Sequence, residues 1–167
     1  WTQGGGVNYF ALMSYYLMSP LNFLTVFLPS EWLREFLMFS VVIKVACASM
    51  FMAIFLRSLF KKNDFSLVIF GCSFGFCAFF MGYYWNTIWL DTVCITPLVA
   101  LGTVKLFTEG KFRLYIVSLA LSLLTNYYIG LFACIFVLLS FIAYNIVKWD
   151  GIKKFATNLL RTGIYSL

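Results

Sequence analysis

The residues best suited to chemistry are few and far apart in the chain. Asp91 is an acid at the edge of an apolar run, beside Trp85, Asn86 and Trp89. There a carboxylate can accept a proton from a hydroxyl or hold a cation, which makes it the candidate catalytic residue. Lys44 lies nine residues after Glu35 and thirteen before Arg57, within an apolar run too deep for easy snorkelling. An intramembrane charge of this kind is a functional candidate, able to pair with an acid elsewhere or to meet a phosphate. Arg34 is a second candidate phosphate contact, although Glu31, three residues earlier, is an ordinary partner for it. Asn126, Tyr127 and Tyr128 carry amide and phenol groups that hydrogen-bond sugar hydroxyls, and rings that cover a pyranose face. With Asn86 and Trp89 they form the candidate substrate-binding set. A plainer reading stands beside it, because tyrosine is enriched at membrane interfaces and asparagine is a common helix breaker and cap.

Other chemistries are missing. The chain has no histidine, so it cannot supply a Ser-His-Asp triad, a Cys-His pair or a His-ligated metal. Cys47, Cys72, Cys77, Cys94 and Cys134 lie in apolar runs without metal-like spacing and read as small buried packing residues. No nucleotide loop or EF-hand spacing occurs, and Gly4-Gly5-Gly6 lacks the strand and helix of a phosphate loop. No cofactor is assigned, and a divalent metal stays open.

The elements that must position these residues belong in a bilayer. Of 167 residues, 63% are hydrophobic and 11% charged, far below the charged fraction of about 25% usual in soluble domains. Spans are expected near 35–57, 65–84, 90–107, 114–125 and 130–147, the first two at or above the roughly 20 apolar residues a crossing needs and the last two short. Ser30 and Glu31 suit the start of the first, and Tyr83, Tyr84, Trp85 and Trp89 form an aromatic belt after the second. Residues 114–147 would make one helix of ~51 Å, against a hydrocarbon core of ~30 Å. A break at Asn126 turns that run into a hairpin of two short helices.

The net charge of +6 then follows the positive-inside rule rather than any affinity for nucleic acid. With Asn126 facing out, ten of the twelve Lys and Arg residues fall on the cytoplasmic side, leaving Arg34 outside and Lys44 within a span. Residues 1–34, 83–91 and 125–130 then gather on the outer face. Residues 1–34, interrupted by Gly4 to Gly6, Pro20 and Pro29, read as a re-entrant or interfacial segment. Residues 148–167 read as a cytoplasmic basic segment leading to a further span. Trp1 at the start suggests a chain cut from a longer one.

Asp91 itself has two geometries. If the third helix starts at Asp91, the carboxylate is its N-cap; if it starts near Thr87, Asp91 sits about one turn deep. Pro97 favours the capped, shorter helix, because proline costs least in a first turn.

In order, Gly4-Gly5-Gly6-Val7-Asn8, Tyr15-Tyr16-Leu17-Met18-Ser19-Pro20-Leu21-Asn22, Trp89-Leu90-Asp91 with Pro97-Leu98 and Leu101-Gly102, Ser118-Leu119-Ala120-Leu121-Ser122 and Asn126-Tyr127-Tyr128 resemble the YfhO family of bacterial membrane proteins. The resemblance runs over roughly residues 1–147. It implies an all-α polytopic bundle like the GT-C type of membrane glycosyltransferase, which takes sugars from a polyprenyl-phosphate carrier at an extracytoplasmic site. It further implies a bacterial cytoplasmic membrane, the lipid bilayer and a polyprenyl-phosphate sugar donor as partners, and a cell-wall polymer or glycolipid such as lipoteichoic acid as acceptor. By matching motif, Asp91, Asn126, Tyr127 and Tyr128 carry over as site or structural residues. The acid usually taken as catalytic in this type lies in the first extracytoplasmic loop, which would fall before Trp1. The rival expectation is a transporter or lipid flippase, with Lys44 and the break at Asn126 on a substrate path.

Overall fold

The computed structural model describes residues 18–148 and 151–166, apart from the side chain of Lys154. Helices make up these residues, and no strand occurs among them. Two 3-10 turns, Asn22–Phe27 and Ser30–Trp32, lead into α1 (Leu33–Phe60). There follow α2 (Ser66–Gly75), the single-turn α3 (Ala78–Gly82), α4 (Thr87–Glu109), α5 (Arg113–Thr125), α6 (Tyr127–Val147) and α7 (Ile152–Ser166). Three stretches are long and apolar enough to cross a membrane: Ser30–Phe60, Thr87–Glu109 and Tyr127–Val147. Shorter apolar helices, Ser66–Gly82 and Arg113–Thr125, run between them.

Several local expectations are corrected. Ser30 makes no side-chain cap; its carbonyl instead accepts the Leu33 N–H, and α1 begins through the 3-10 turn. The apolar run at 65–84 is broken after Gly75, with Cys77 extended between two helical pieces. Gly71 and Gly75, spaced as in the GxxxG motif of membrane helix pairs, press α2 against α1. A Cβ on Gly75 would lie 2.9 Å from the Val45 carbonyl oxygen, and one on Gly71 2.7 Å from that of Ser49. The third helix is 23 residues long and starts at Thr87, which places Pro97 in mid-helix. The cost expected of proline there is tolerable in a membrane helix, where neighbours and hydroxyls serve the freed backbone groups. The hairpin at Asn126 is present, but only α5 is short: α6 has 21 residues because Asn126 caps it directly. The cysteines are free, and Cys72 is exposed rather than buried because it lies on the outward side of α2. The Gly4 to Gly6 stretch lies outside the described residues.

Two cores share α4. One gathers Val45, Ala48, Phe80, Leu90 and Cys94 from α1, α3 and α4. The other gathers Val99, Phe107, Tyr115, Leu119, Val137 and Phe141 with neighbours from α4, α5 and α6. Many other large apolar side chains, among them Phe39, Val42, Ile69, Phe70, Leu131 and Leu138, face outward. In water that pattern would be costly; in a helical membrane protein it is the lipid-facing surface.

Candidate functional site

Lys44 and Asp91 meet. Lys44 Nζ lies 2.9 Å from Asp91 Oδ2 and donates a second hydrogen bond, of 2.8 Å, to the Thr87 carbonyl. The lysine is 2% exposed and the aspartate 7%. Because α4 starts at Thr87, Asp91 stands one turn inside the helix and is not its cap; Asn86 occupies that position without a side-chain capping bond. Each group was a lone charge in an apolar run, and each satisfies the other across the α1–α4 seam. A buried charge needs a partner of this kind to be tolerated.

The pair forms one wall of a cleft of about 340 Å³ between α1, α4 and α5, crossed at one side by Pro20 and Leu21. Its remaining lining is mostly apolar, with Thr125 and Ser118 adding hydroxyls from α5. Lys44 uses two of its three N–H groups on Asp91 and Thr87. The arrangement can therefore offer one ammonium proton and one carboxylate oxygen at the head of a greasy slot.

Next to it, hydroxyls tie α4 to α5. Thr92 Oγ1 bonds the Ser122 carbonyl at 3.2 Å and lies 3.1 Å from Thr125 Oγ1, which also donates to that carbonyl. Asn126 follows, wholly buried. Its Oδ1 accepts the Ile129 N–H at 3.0 Å, the N-cap bond that starts α6, while its Nδ2 has no partner among the described residues. Gly130 admits the close approach of α6 to α5: a Cβ there would lie 3.0 Å from Leu123 Cα.

An aromatic wall stands at the same end. Tyr83 packs against Phe79 at 5.0 Å, Trp85 at 6.2 Å and Trp89 at 5.7 Å between ring centroids. Trp89 reaches Tyr128 at 6.2 Å, and Tyr128 meets Phe132 edge-on. These rings join the segment after α3 to the first turns of α4 and α6, and Trp85, Tyr84, Tyr127 and Tyr128 keep exposed faces.

The candidate residues thus fall into two groups. Lys44 and Asp91 enter the cleft; Trp89 and Tyr128 build the wall, with Asn86 at its base and Tyr127 beside Tyr128. Asn126 acts first as a helix cap. Arg34 lines neither feature and forms no ion pair with Glu31; it is exposed near the start of α1. No group of three or more Cys, Asp or Glu side chains that could hold a metal occurs among the described residues. Sequence reasoning missed the Thr92–Thr125 link and Ser118, whose hydroxyls carry no distinctive spacing. It also missed that Lys44 and Asp91 choose each other, although Asp91 is the one acid well inside an apolar run and Lys44 the one base.

The long outward-facing apolar helices, the glycine-mediated helix contacts and the buried intramembrane ion pair define a multi-pass helical membrane protein. The whole chain, residues 1–167, matches the family described as bacterial membrane protein YfhO. It belongs to that family. Comparison with curated proteins and with solved structures gives no match.

Proposed function

We propose that this chain is part of a membrane glycosyltransferase that moves a hexose from a polyprenyl-phosphate donor to an extracytoplasmic cell-wall polymer or glycolipid such as lipoteichoic acid. The observation that carries the reading is the Lys44–Asp91 pair at the head of an apolar cleft, beside a wall of tryptophan and tyrosine. A lipid-linked sugar has three parts with different needs: an isoprenoid tail that wants a dry apolar path, a phosphate that wants a cation, and a sugar that stacks on aromatic rings. The three features lie together at one end of the bundle.

In the reaction, an acceptor hydroxyl oxygen bonds to the sugar's anomeric carbon as the bond from that carbon to the phosphate oxygen breaks. The hydroxyl proton goes to a base, and the polyprenyl phosphate leaves with the electron pair. In this reading the third N–H of Lys44 stabilises the growing phosphate charge. Asp91 orients Lys44 and is committed to it, so we assign Asp91 to positioning and the base to a carboxylate outside the described residues. The aromatic wall, with Tyr128 and Trp89 at its centre, holds the sugar. The basic ends of the spans then face the cytoplasm and the site faces outward.

The test is transfer of labelled sugar from polyprenyl phosphate in membranes holding the full-length protein. Lys44→Met paired with Asp91→Leu removes both charges together, and its transfer is expected to fall at least about tenfold, the loss of one phosphate-stabilising contact. Unchanged transfer at equal protein level removes the pair from the site. The breaks at Cys77 and Asn126 give some weight to a second reading, transport, since discontinuous helices serve that purpose. Uptake of the lipid-linked sugar into proteoliposomes without covalent change would favour it.

A further inference from the structure

The opposite end of the bundle carries a second, unrelated constellation. At the turn between α4 and α5, Lys105, Lys111 and Arg113 line a cavity of about 440 Å³ together with Gly110, Phe112 and Leu114. Gly110 sits in the left-handed region at φ 71° and closes α4 with its N–H on the Leu106 carbonyl, 3.2 Å away. That conformation disfavours a side chain there, and the guanidinium of Arg161 from α7 comes close, its Nη1 3.0 Å from where a Cβ on Gly110 would lie. Four cations therefore meet around one turn. The acid at hand, Glu109, pairs with Lys111 at 2.7 Å, with both groups exposed, and leaves a surplus of positive charge.

Helix α7 gives this turn an apolar flank. It is docked by Tyr165 stacked on Phe112 (4.6 Å between centroids, planes 15° apart), by Phe155 against Phe141, and by a 2.5 Å hydrogen bond between the Tyr115 and Ser166 hydroxyls. Those contacts, with Asn158 buried, define its inward side. Ile152, Leu159, Leu160 and Ile164 are all exposed, with Lys153 set between Leu160 and Ile164 by helical spacing and Arg161 reaching to the Gly110 turn. An apolar stripe bordered by cations is the pattern of a helix lying in a membrane interface, and a basic pocket between helices at that level fits a lipid headgroup.

We propose that the α4–α5 turn and α7 together form a binding site for an anionic phospholipid of the leaflet at this end. The phosphate sits among Lys105, Lys111, Arg113 and Arg161, and the acyl chains lie along the outer stripe of α7. The stripe argues for a lipid over a soluble anion, which would make no use of it. The site is at the far end from the Lys44–Asp91 pair, with Leu114 lining both its cavity and the lower part of the cleft, and it rests on observations separate from the sugar-transfer reading.

The experiment is native mass spectrometry of the full-length protein in detergent, titrated with phosphatidylglycerol or phosphatidylcholine. Wild type should retain phosphatidylglycerol preferentially. The Lys111→Gln/Arg113→Gln variant should lose about fivefold in retention per charge removed, and Lys111→Arg should keep it. Leu160→Asp with Ile164→Asp should weaken retention with the cations intact. Size-exclusion profiles identify any variant that has misfolded, and the conservative Lys111→Arg carries the comparison in that event. Equal retention of the two lipids by wild type overturns the proposal. So does an equal loss from Lys61→Gln/Lys62→Gln, which would mean diffuse attraction to the basic end. Displacement by inorganic phosphate at millimolar concentration would reduce the site to an anion pocket and overturn the lipid assignment.

Discussion

The two seams of α4 are built on opposite principles. Toward α1 it is joined by charge: Lys44 reaches across to Asp91 and Thr87, and the cleft opens alongside. Toward α5 it is joined by close approach: Gly102 lies so near Tyr115 that an added Cβ would be 2.7 Å from its Cα, and little but backbone separates the helices. In a bilayer, burying apolar surface gives no advantage over lipid, so helices associate through tight packing or polar contacts. The α4–α5 seam relies chiefly on the first, with the Thr92 hydroxyl bonds added near one end, and fixes the framework. The α1–α4 seam uses the second and leaves a slot, with polar groups, where a ligand can enter.

Breaking the charged seam is expected to have the largest effect. Lys44→Met alone or Asp91→Asn alone leaves a buried charge without its counterion and should cost about 3–5 kcal/mol. The paired Lys44→Met and Asp91→Leu change should recover most of that loss. Thermal unfolding of the full-length protein in detergent reads both, and a double variant as unstable as the single ones would mean that the pair is more than a compensated charge. The packed seam should yield less. Gly102→Val forces α4 and α5 apart against backbone atoms and should cost about 1–3 kcal/mol. Gly82→Ala is the control, since nothing lies within 4 Å of a Cβ there; comparable losses in both would remove close approach as the explanation. The smallest effect belongs to the junction of α5 and α6. Asn126→Ala deletes the cap bond to Ile129 and should lower stability by about 1 kcal/mol, while Asn126→Ser, which keeps an acceptor without burying a charge, should retain more of it.

Much of this architecture was legible in the sequence because lipid imposes a simple rule: uncharged stretches of sufficient length become helices. The hairpin followed from length, since 34 residues exceed one crossing, and its place at Asn126 from the polar, aromatic and glycine residues between Thr125 and Gly130. The break near Cys77 did not, because it depends on how Gly71 and Gly75 seat α2 on α1, a matter of fit between helices rather than composition. Asp91 was readable as a lone acid but not as the partner of Lys44, since 47 positions separate them and the pairing appears once α1 and α4 run side by side. Pro97 misled for a related reason. Its cost was judged as if the helix stood alone, whereas neighbouring helices and hydroxyls share the burden in a bundle.

The brevity of α5 has a consequence for its neighbours. The register in which Thr92 meets Thr125 and Gly102 meets Tyr115 sets Asn126 level with Asp91, about 6 Å below the first residue of α4 at 1.5 Å per residue. At 13 residues, α5 reaches only ~20 Å, short of the ~30 Å hydrocarbon thickness. A helix of that length standing against lipid as a span of its own would thin the membrane around it, so α5 depends on its neighbours α4 and α6 to cover its end. The ion pair and the cap thus share one layer of the bundle, and the cover that hides the end of α5 from oil is the same packing that buries both.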